Sequence, residues 1–382
     1  MLLNDQRGRL SGPALHPELV ALLAELRRRR GFAAQCCVQA KISLLNTYMA
    51  ATGLRSCVVG VSGGVDSAVT LALACAAMRA PGSPIQRVVA ALVPMFVAEG
   101  ATNQDLALAR GREVAEWFAA QAVTVDLSAG HVAVKAAVDG ALGLVGGPWA
   151  AGQLVSYLRA PAFYYLTSLL AQEGLPAVLL GTTNRDEGGY IGFFGKASDG
   201  MVDIQLISDL HKSEVYALAR RLEVPASVIA AAPTGDVFDG RTDEQMIGAS
   251  YDFVELYTLW LAQDGDLRDR LLAALGAEAR AQFADQGARL EALHGCNAHK
   301  YLGGSPAIHL DAYERAVPGG WTERPAAPVR GGTSGGWVGE FALSSATLDA
   351  FAVTAIEPRA QAIADCGDLA LRVDGLVGAA ER

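Results

Sequence analysis

The sequence predicts an α/β fold: a doubly wound, mostly parallel sheet with helices on both faces, followed by a C-terminal extension. Three observations carry this. Short apolar runs alternate with helix-length segments along most of the chain, hydrophobic residues make up 51% of the 382, enough for a large buried core, and a Ser-Gly-Gly turn joins the first run directly to a helix. The runs are CVVGV (57–61), RVVAALVP (87–94), AVTVDL (122–127), AVLLG (177–181) and VDIQLI (202–207), apolar in the manner of strands covered on both faces. Between them lie candidate helices at 38–50, 66–80, 103–120, 153–172 and 209–222. In the last of these Asp209 is placed to cap the N-terminus, Val215, Leu218, Ala219 and Leu222 share one stripe, and Pro225 closes the element. Strands alternating with helices imply right-handed crossovers, and ligands then bind at the carboxyl ends of the strands, so chemistry is expected on the loops after residues 61, 94 and 181.

Composition narrows the class of partner. A formal net charge of −9 gives no global positive field for nucleic acid or an anionic membrane. The run Arg27 to Arg30 reads as the solvated end of a helix. Six cysteines show neither CxxC pairs nor a disulfide framework, which suits a reducing compartment. The N-terminus lacks the apolar core of a signal peptide, and the longest uncharged stretch, 140–158, is broken by glycines and a proline, so a soluble cytoplasmic protein is expected. Residues 1–37 read as an N-terminal helical segment, 38–315 as the main domain, helical after about 245, and 316–382 as an extension of unread role.

The stretch VVGVSGGVDSAV (58–69) carries the first chemistry. A strand that delivers Ser62, Gly63 and Gly64 to a helix start presents unpaired N–H groups at the positive end of a helix dipole, which is an anion site. Glycine lets a phosphate approach without meeting a Cβ, Ser62 and Ser67 add hydroxyl donors, and Asp66 suits the Mg²⁺ that accompanies a nucleotide. A packing turn would explain the glycines but not two hydroxyls and a carboxylate. Neither GxxxxGK[ST] nor GxGxxG is present at this strand. The stretch resembles the signature of the PP-loop, or N-type, ATP pyrophosphatases, and the resemblance implies cleavage of ATP between the α- and β-phosphates.

A second stretch, residues 179–221, sets Thr182 and Glu187 on a loop after a strand, where Glu187 is placed to offer a second carboxylate to the same metal. Lys196 and Asp199 follow on a glycine-rich loop, and Lys212 falls in the first turn of the next helix, where a cation opposes the dipole unless an anion lies nearby. With GTTNRDE, GFFGKASDGMVDI, DLHKSEVYALARRLEVP, PTGDVFDGRTDEQMIGASYDFVELY and the late pair His299–Lys300, the chain resembles NAD synthetases over roughly residues 38–315.

This resemblance implies an ATP-dependent carbon–nitrogen ligase. Ser62, Gly63, Gly64, Asp66 and Ser67 would hold the β- and γ-phosphates and Mg²⁺. Thr182 and Glu187 match nucleotide and metal contacts, Lys212 and Thr234 match phosphate contacts, and His299 and Lys300 close over ATP. Lys196, Asp199 and Asp203 match the loop that closes over the dinucleotide, and Arg159 faces the substrate near a homodimer interface. Asp66, Glu187, Lys212 and Lys196 would be the catalytic set, with ATP as co-substrate and Mg²⁺ as cofactor.

The implied reaction adenylates the carboxylate of deamido-NAD and transfers ammonia, releasing AMP and pyrophosphate. The region before residue 57 is too short for a glutaminase domain, so ammonia is expected free or from a separate amidotransferase partner. Gly152–Gln153 and Ser156–Tyr157 replace the family's Gly-Asn and Ala-Arg. That leaves open an amide ligase acting on another acid or amine, and the shared signature leaves open a tRNA-modifying enzyme or a nucleotide-binding protein without catalysis.

Overall fold

The computed structural model describes residues 14–96, 104–234, 241–301 and 308–309. In chain order the elements are α1 (Pro17–Arg30), α2 (Ala34–Thr52), β1 (Ser56–Gly60), α3 (Val65–Arg79), β2 (Arg87–Leu92), α4 (Gln104–Trp117), β3 (Gln121–Thr124), α5 (Ser128–Leu142), α6 (Pro148–Gln172) and β4 (Ala177–Gly181). A π-helical turn (Asp186–Tyr190) follows, then β5 (Ile204–Gln205), α7 (Lys212–Arg221), α8 (Ala226–Ile229), α9 (Asp243–Ile247), α10 (Tyr251–Leu261), α11 (Gly265–Ala273), α12 (Ala277–Cys296), α13 (Ala298–Tyr301) and β6 (Ile308–His309).

The sheet runs β3-β2-β1-β4-β5-β6, and each neighbouring pair is parallel. The alternation of side chains along β1 explains its two coats: Cys57 and Val59 enter a core formed with α2, α3, α4 and α7, while Val58 enters a second core with α6 through Phe163, Leu166 and Leu170. The chain winds from β1 outward to β3, returns across the sheet through α5 and α6, and continues outward from β4. The topological switch point therefore lies between β1 and β4, where their carboxyl ends part. The expected doubly wound sheet is present, with β2, β3 and β5 shorter than the apolar runs that predict them. In 202–207 only Ile204 and Gln205 pair, while Leu206 and Ile207 are buried beyond the ladder.

A third core joins α1, α10 and α12 through Leu19, Leu23, Leu26, Phe253, Val254, Phe283 and Leu290, with Tyr190 and Ile191 at the edge of the π turn. Two sequence readings change here. Arg27 and Arg30 are not solvated: Arg27 pairs with Glu255 and Asp252, and Arg30 with Glu214, leaving Arg28 and Arg29 on Glu25 outside. Asp209 does not cap α7, whose N-cap is His211; Asp209 is fully buried against Lys41 Nζ at 2.5 Å. α5 escapes the periodicity reading because its pattern is inverted: His131 is its one buried residue and meets the Ala151 carbonyl of α6, while Val132, Val138 and Leu142 are exposed. The proposed extension 316–382 lies outside the described residues.

The Lys41–Asp209 pair ties α2 to the segment that enters α7. Removing one partner breaks a buried ion pair in a site with no exposure, so Lys41→Met is expected to lower stability by roughly 3–5 kcal/mol. Urea unfolding of Lys41→Met, Asp209→Leu and the double variant checks this. The double variant recovers a large part of the loss, since both buried charges are then removed.

Candidate active site

The loops after β1, β2 and β4 open on one cavity of about 570 Å³, lined by 60–62 and 64–67, 91–94 and 179–183, with α4, α6, α7 and α9 completing the walls. All three strand ends named by the fold argument meet there. At its floor the strand β1 passes through Ser62 and Gly63 into α3, whose N-cap is Gly64 and which has no side-chain cap. The first N–H groups of α3 therefore face the cavity without an intrahelical acceptor. The turn is tied internally: Ser62 N–H donates to Ser67 Oγ at 3.2 Å, and Ser67 Oγ donates to the Gly64 carbonyl at 3.0 Å.

The two glycines differ. Gly63 has φ +80°, and a Cβ there would run into the Ala107 carbonyl of α4, so only glycine makes this turn. Gly64 has φ −94° with space beside it and lines the cavity, while Gly63 itself does not.

Above the turn, three segments converge on one ammonium. Lys212 Nζ lies 2.6 Å from Asp66 Oδ2 and 3.0 Å from Glu187 Oε1. It sits 4.7 Å from the centre of the Tyr251 ring. Burial alone would depress the Lys212 pKa, but Asp66, Glu187 and Asp243 outweigh it and hold the ammonium well above its ordinary value. Glu187 is pushed up to about 7 by burial and by the nearby carboxylates, against the pull of Lys212. Asp66 Oδ1 accepts from Asn184 Nδ2 at 2.8 Å, and the Tyr251 hydroxyl reaches Glu187 at 2.7 Å and Asp243 at 3.1 Å.

Lys212 is held from behind. Asp186 accepts from the Lys212 backbone N–H at 2.7 Å and meets His211 Nδ1 at 2.6 Å, both side chains fully buried. Burial raises Asp186 to about 7 and lowers His211 to about 3, so the imidazole is neutral near neutral pH.

The remaining predicted residues divide. Thr182, Thr234, Arg159, Asp199 and Lys300 line the cavity with Ser62, Gly64, Asp66, Ser67, Glu187 and Lys212. Lys196, Asp203 and His299 do not. Lys196 is exposed and donates to the His299 carbonyl at 3.0 Å, while Lys300 donates to the Gly192 carbonyl at 2.8 Å, so α13 fastens the loop after the π turn. Asp203 accepts from Leu179 N–H and from the Tyr164 hydroxyl, placing its carboxylate between β4 and α6. The altered helix positions differ too: Gln153 and Ser156 line the cavity, whereas Tyr157 lies outside the lining and donates to Gln153.

Sequence reasoning missed Asn184, Asp243, Tyr251 and Arg110. Asn184 stands in the GTTN run and Asp243 and Tyr251 in the TDEQMIGASYD run, both quoted as motifs without these residues singled out; Arg110 carries no motif signal.

The NAD synthase family model matches residues 37–299. The chain belongs to the NAD synthase family. Among curated relatives of this NAD synthase family member, an NH₃-dependent NAD⁺ synthetase from Methanococcoides burtonii is 31% identical over 57% of this chain and 77% of its own length. One from Thermoplasma acidophilum is 31% identical over 52% of this chain and 73% of its own. A solved NMN synthetase from Francisella tularensis shares the fold, with TM-score 0.55 and 23% identity over 70% of this chain and 96% of that chain. An NH₃-dependent NAD synthetase from Campylobacter jejuni does so at TM-score 0.51 and 19% identity, with the same coverage. Neither the tRNA-modifying reading nor that of a non-catalytic nucleotide binder is favoured by these relatives.

The donor set also bears on the expected metal. Among the described residues no cluster of three or more His, Cys, Asp or Glu forms a cation cage. Asp66 and Glu187 nevertheless approach one ammonium from two loops, and Mg²⁺ typically takes one or two carboxylates and completes its shell with water and substrate phosphate. Two carboxylates beside a phosphate-type turn fit that pattern.

Gly63→Ala is expected to abolish nucleotide binding while leaving most of the fold in place, because the turn must shift off α4 to admit the methyl group. Calorimetric titration with ATP, alongside circular dichroism, checks both halves.

Proposed function

We propose that this NAD synthase family member adenylates the nicotinate carboxylate of deamido-NAD with ATP and then transfers ammonia to it, releasing pyrophosphate and AMP. The observation that carries this reading is the convergence of Asp66, Glu187 and Lys212 directly above an uncapped helix N-terminus at the switch point. A carboxylate is a poor acyl donor, so it must first gain a better leaving group. Attack of the carboxylate oxygen on the α-phosphorus forms an acyl-adenylate as the bond to pyrophosphate breaks. Ammonia then adds to the acyl carbon, loses a proton, and AMP departs.

The residues divide this work by position. Ser62, Gly63, Gly64 and Ser67, with the first N–H groups of α3, receive the β- and γ-phosphates, while Thr182 and Thr234 hold the nucleotide from the facing wall. Lys212 supplies a fixed positive charge to the phosphoryl oxygens as pyrophosphate leaves, with no proton to gain or lose at neutral pH. Asp66 and Glu187 would hold Mg²⁺, which when bound neutralises charge on the leaving phosphates. Arg159, on α6, and Asp199, on the loop after the π turn, face the dinucleotide substrate. Lys196, His299 and Lys300 act in closure, since they already join the loop after the π turn to α13, and closure excludes water from the adenylate. Asp203 supports that loop from the edge of β4.

A homodimer is the assembly this reading favours. Val132, Val138, Leu142, Leu144, Val145 and Trp149 are exposed on α5, the following loop and the start of α6, apolar side chains that a subunit interface would cover. Among the described residues no helix is long and apolar enough to cross a membrane, which agrees with a cytoplasmic site of action.

Purified protein is expected to sediment as a dimer and to make amide from deamido-NAD, ATP and ammonium salts but not from glutamine, one AMP and one pyrophosphate per turnover. Asp66→Ala is expected to lower pyrophosphate release by about 10²-fold or more while circular dichroism shows the fold retained. Formation of ADP and orthophosphate, or an active Asp66→Ala protein, contradicts the assignment.

A further inference from the structure

We propose that Arg110, on α4, is a further phosphate-binding residue of this site: its guanidinium anchors the turn through one donor and reads the β,γ end of the triphosphate with the rest. The inference rests on the reading that the triphosphate sits on the 62–67 turn, and it assigns a contact that the sequence motifs do not mark.

Three observations place Arg110 there. Its Nε donates to the Gly63 carbonyl at 3.0 Å, and the side chain lines the same cavity as Ser62, Gly64, Asp66 and Lys212. A guanidinium carries five donors in a planar fork, and among the described residues Arg110 makes no other hydrogen bond and no ion pair. The backbone of α4 is also fixed against the turn, because the Ala107 carbonyl occupies the place where a Cβ on Gly63 would stand. Ala107 lies one helical turn before Arg110, so the distance from guanidinium to turn is set by packing.

Charge gives the fork its role. The turn offers neutral N–H and O–H donors. Lys212 shares its charge with two carboxylates, and Lys300 donates to the Gly192 carbonyl. Asp66, Glu187 and Asp243 gather their negative charge around Lys212. A triphosphate entering this cavity brings several negative charges toward the turn, and Arg110 is the lining cation tied to that turn and matched there by no carboxylate. A planar fork with donors to spare is suited to hold two phosphoryl oxygens at once. Its hydrogen bond to Gly63 sets its orientation before the ligand arrives, which lowers the ordering cost of binding.

The test is calorimetric titration of inorganic pyrophosphate, ATP and AMP, in buffer containing Mg²⁺, into wild-type protein, Arg110→Ala and Arg110→Gln. Melting temperatures verify each fold, and Arg110→Gln serves if Arg110→Ala does not fold. In both variants pyrophosphate and ATP are expected to bind about 10- to 100-fold more weakly, with AMP affinity unchanged. Arg110→Gln separates contact from scaffolding, since glutamine can still donate to the Gly63 carbonyl but carries no charge. Wild-type affinity for pyrophosphate in Arg110→Gln, or an equal loss for AMP and pyrophosphate, overturns the proposal and leaves the triphosphate site standing. Wild-type protein that binds neither pyrophosphate nor ATP overturns both.

Discussion

The buried ammonium of Lys212, shared between Asp66 and Glu187, is the interaction on which the rest of the site depends. Each partner comes from a different part of the sheet: Asp66 from the start of α3 after β1, Glu187 from the π turn after β4, and Lys212 from the first position of α7. A lysine at a helix N-terminus works against the dipole, and a lysine with almost no exposure works against solvation. Two carboxylates offset both costs, and they are two groups that the metal and phosphate chemistry needs in the same place.

Much of the surrounding structure serves to keep that ammonium where it is. Asp186 binds the Lys212 backbone N–H, Glu214 accepts from the His211 N–H at 2.9 Å, Arg30 pairs with Glu214, and Lys41 pairs with Asp209. These buried ions hold the entry to α7 against α1 and α2. A buried ion pair is a weak source of net stability but penalises any arrangement that separates its members. Here that penalty fixes the direction in which α7 begins, and hence the Lys212 side chain.

The fold was legible because strands coated on both faces must be apolar and helices between them must be long enough to cross back. The strand ends, the Ser-Gly-Gly turn and the loop after β4 followed from that alone, and the ordered motifs added the family. What escaped detection has physical causes. α5 buries a histidine and exposes Val132, Val138 and Leu142, the reverse of the pattern that marks a core-facing helix. Asp209 has the composition of a helix cap, yet its partner, Lys41, is 168 positions away in sequence. Arg110 sits in no motif, and its relevance appears only when α4 packs on Gly63. Asp203 lies within a matching motif but turns toward Leu179 and Tyr164, an orientation that the register of β4 and β5 decides.

The account therefore centres on where the phosphates lie relative to Lys212. A crystal structure with Mg²⁺ and α,β-methylene ATP, whose bridging carbon prevents cleavage, observes this directly. The account predicts the β- and γ-phosphoryl oxygens on the N–H groups at the start of α3, with Lys212 Nζ in hydrogen-bond contact with one of them and Asp66 and Glu187 turned to the metal. A triphosphate bound elsewhere, with Lys212 still held between its two carboxylates, would contradict it.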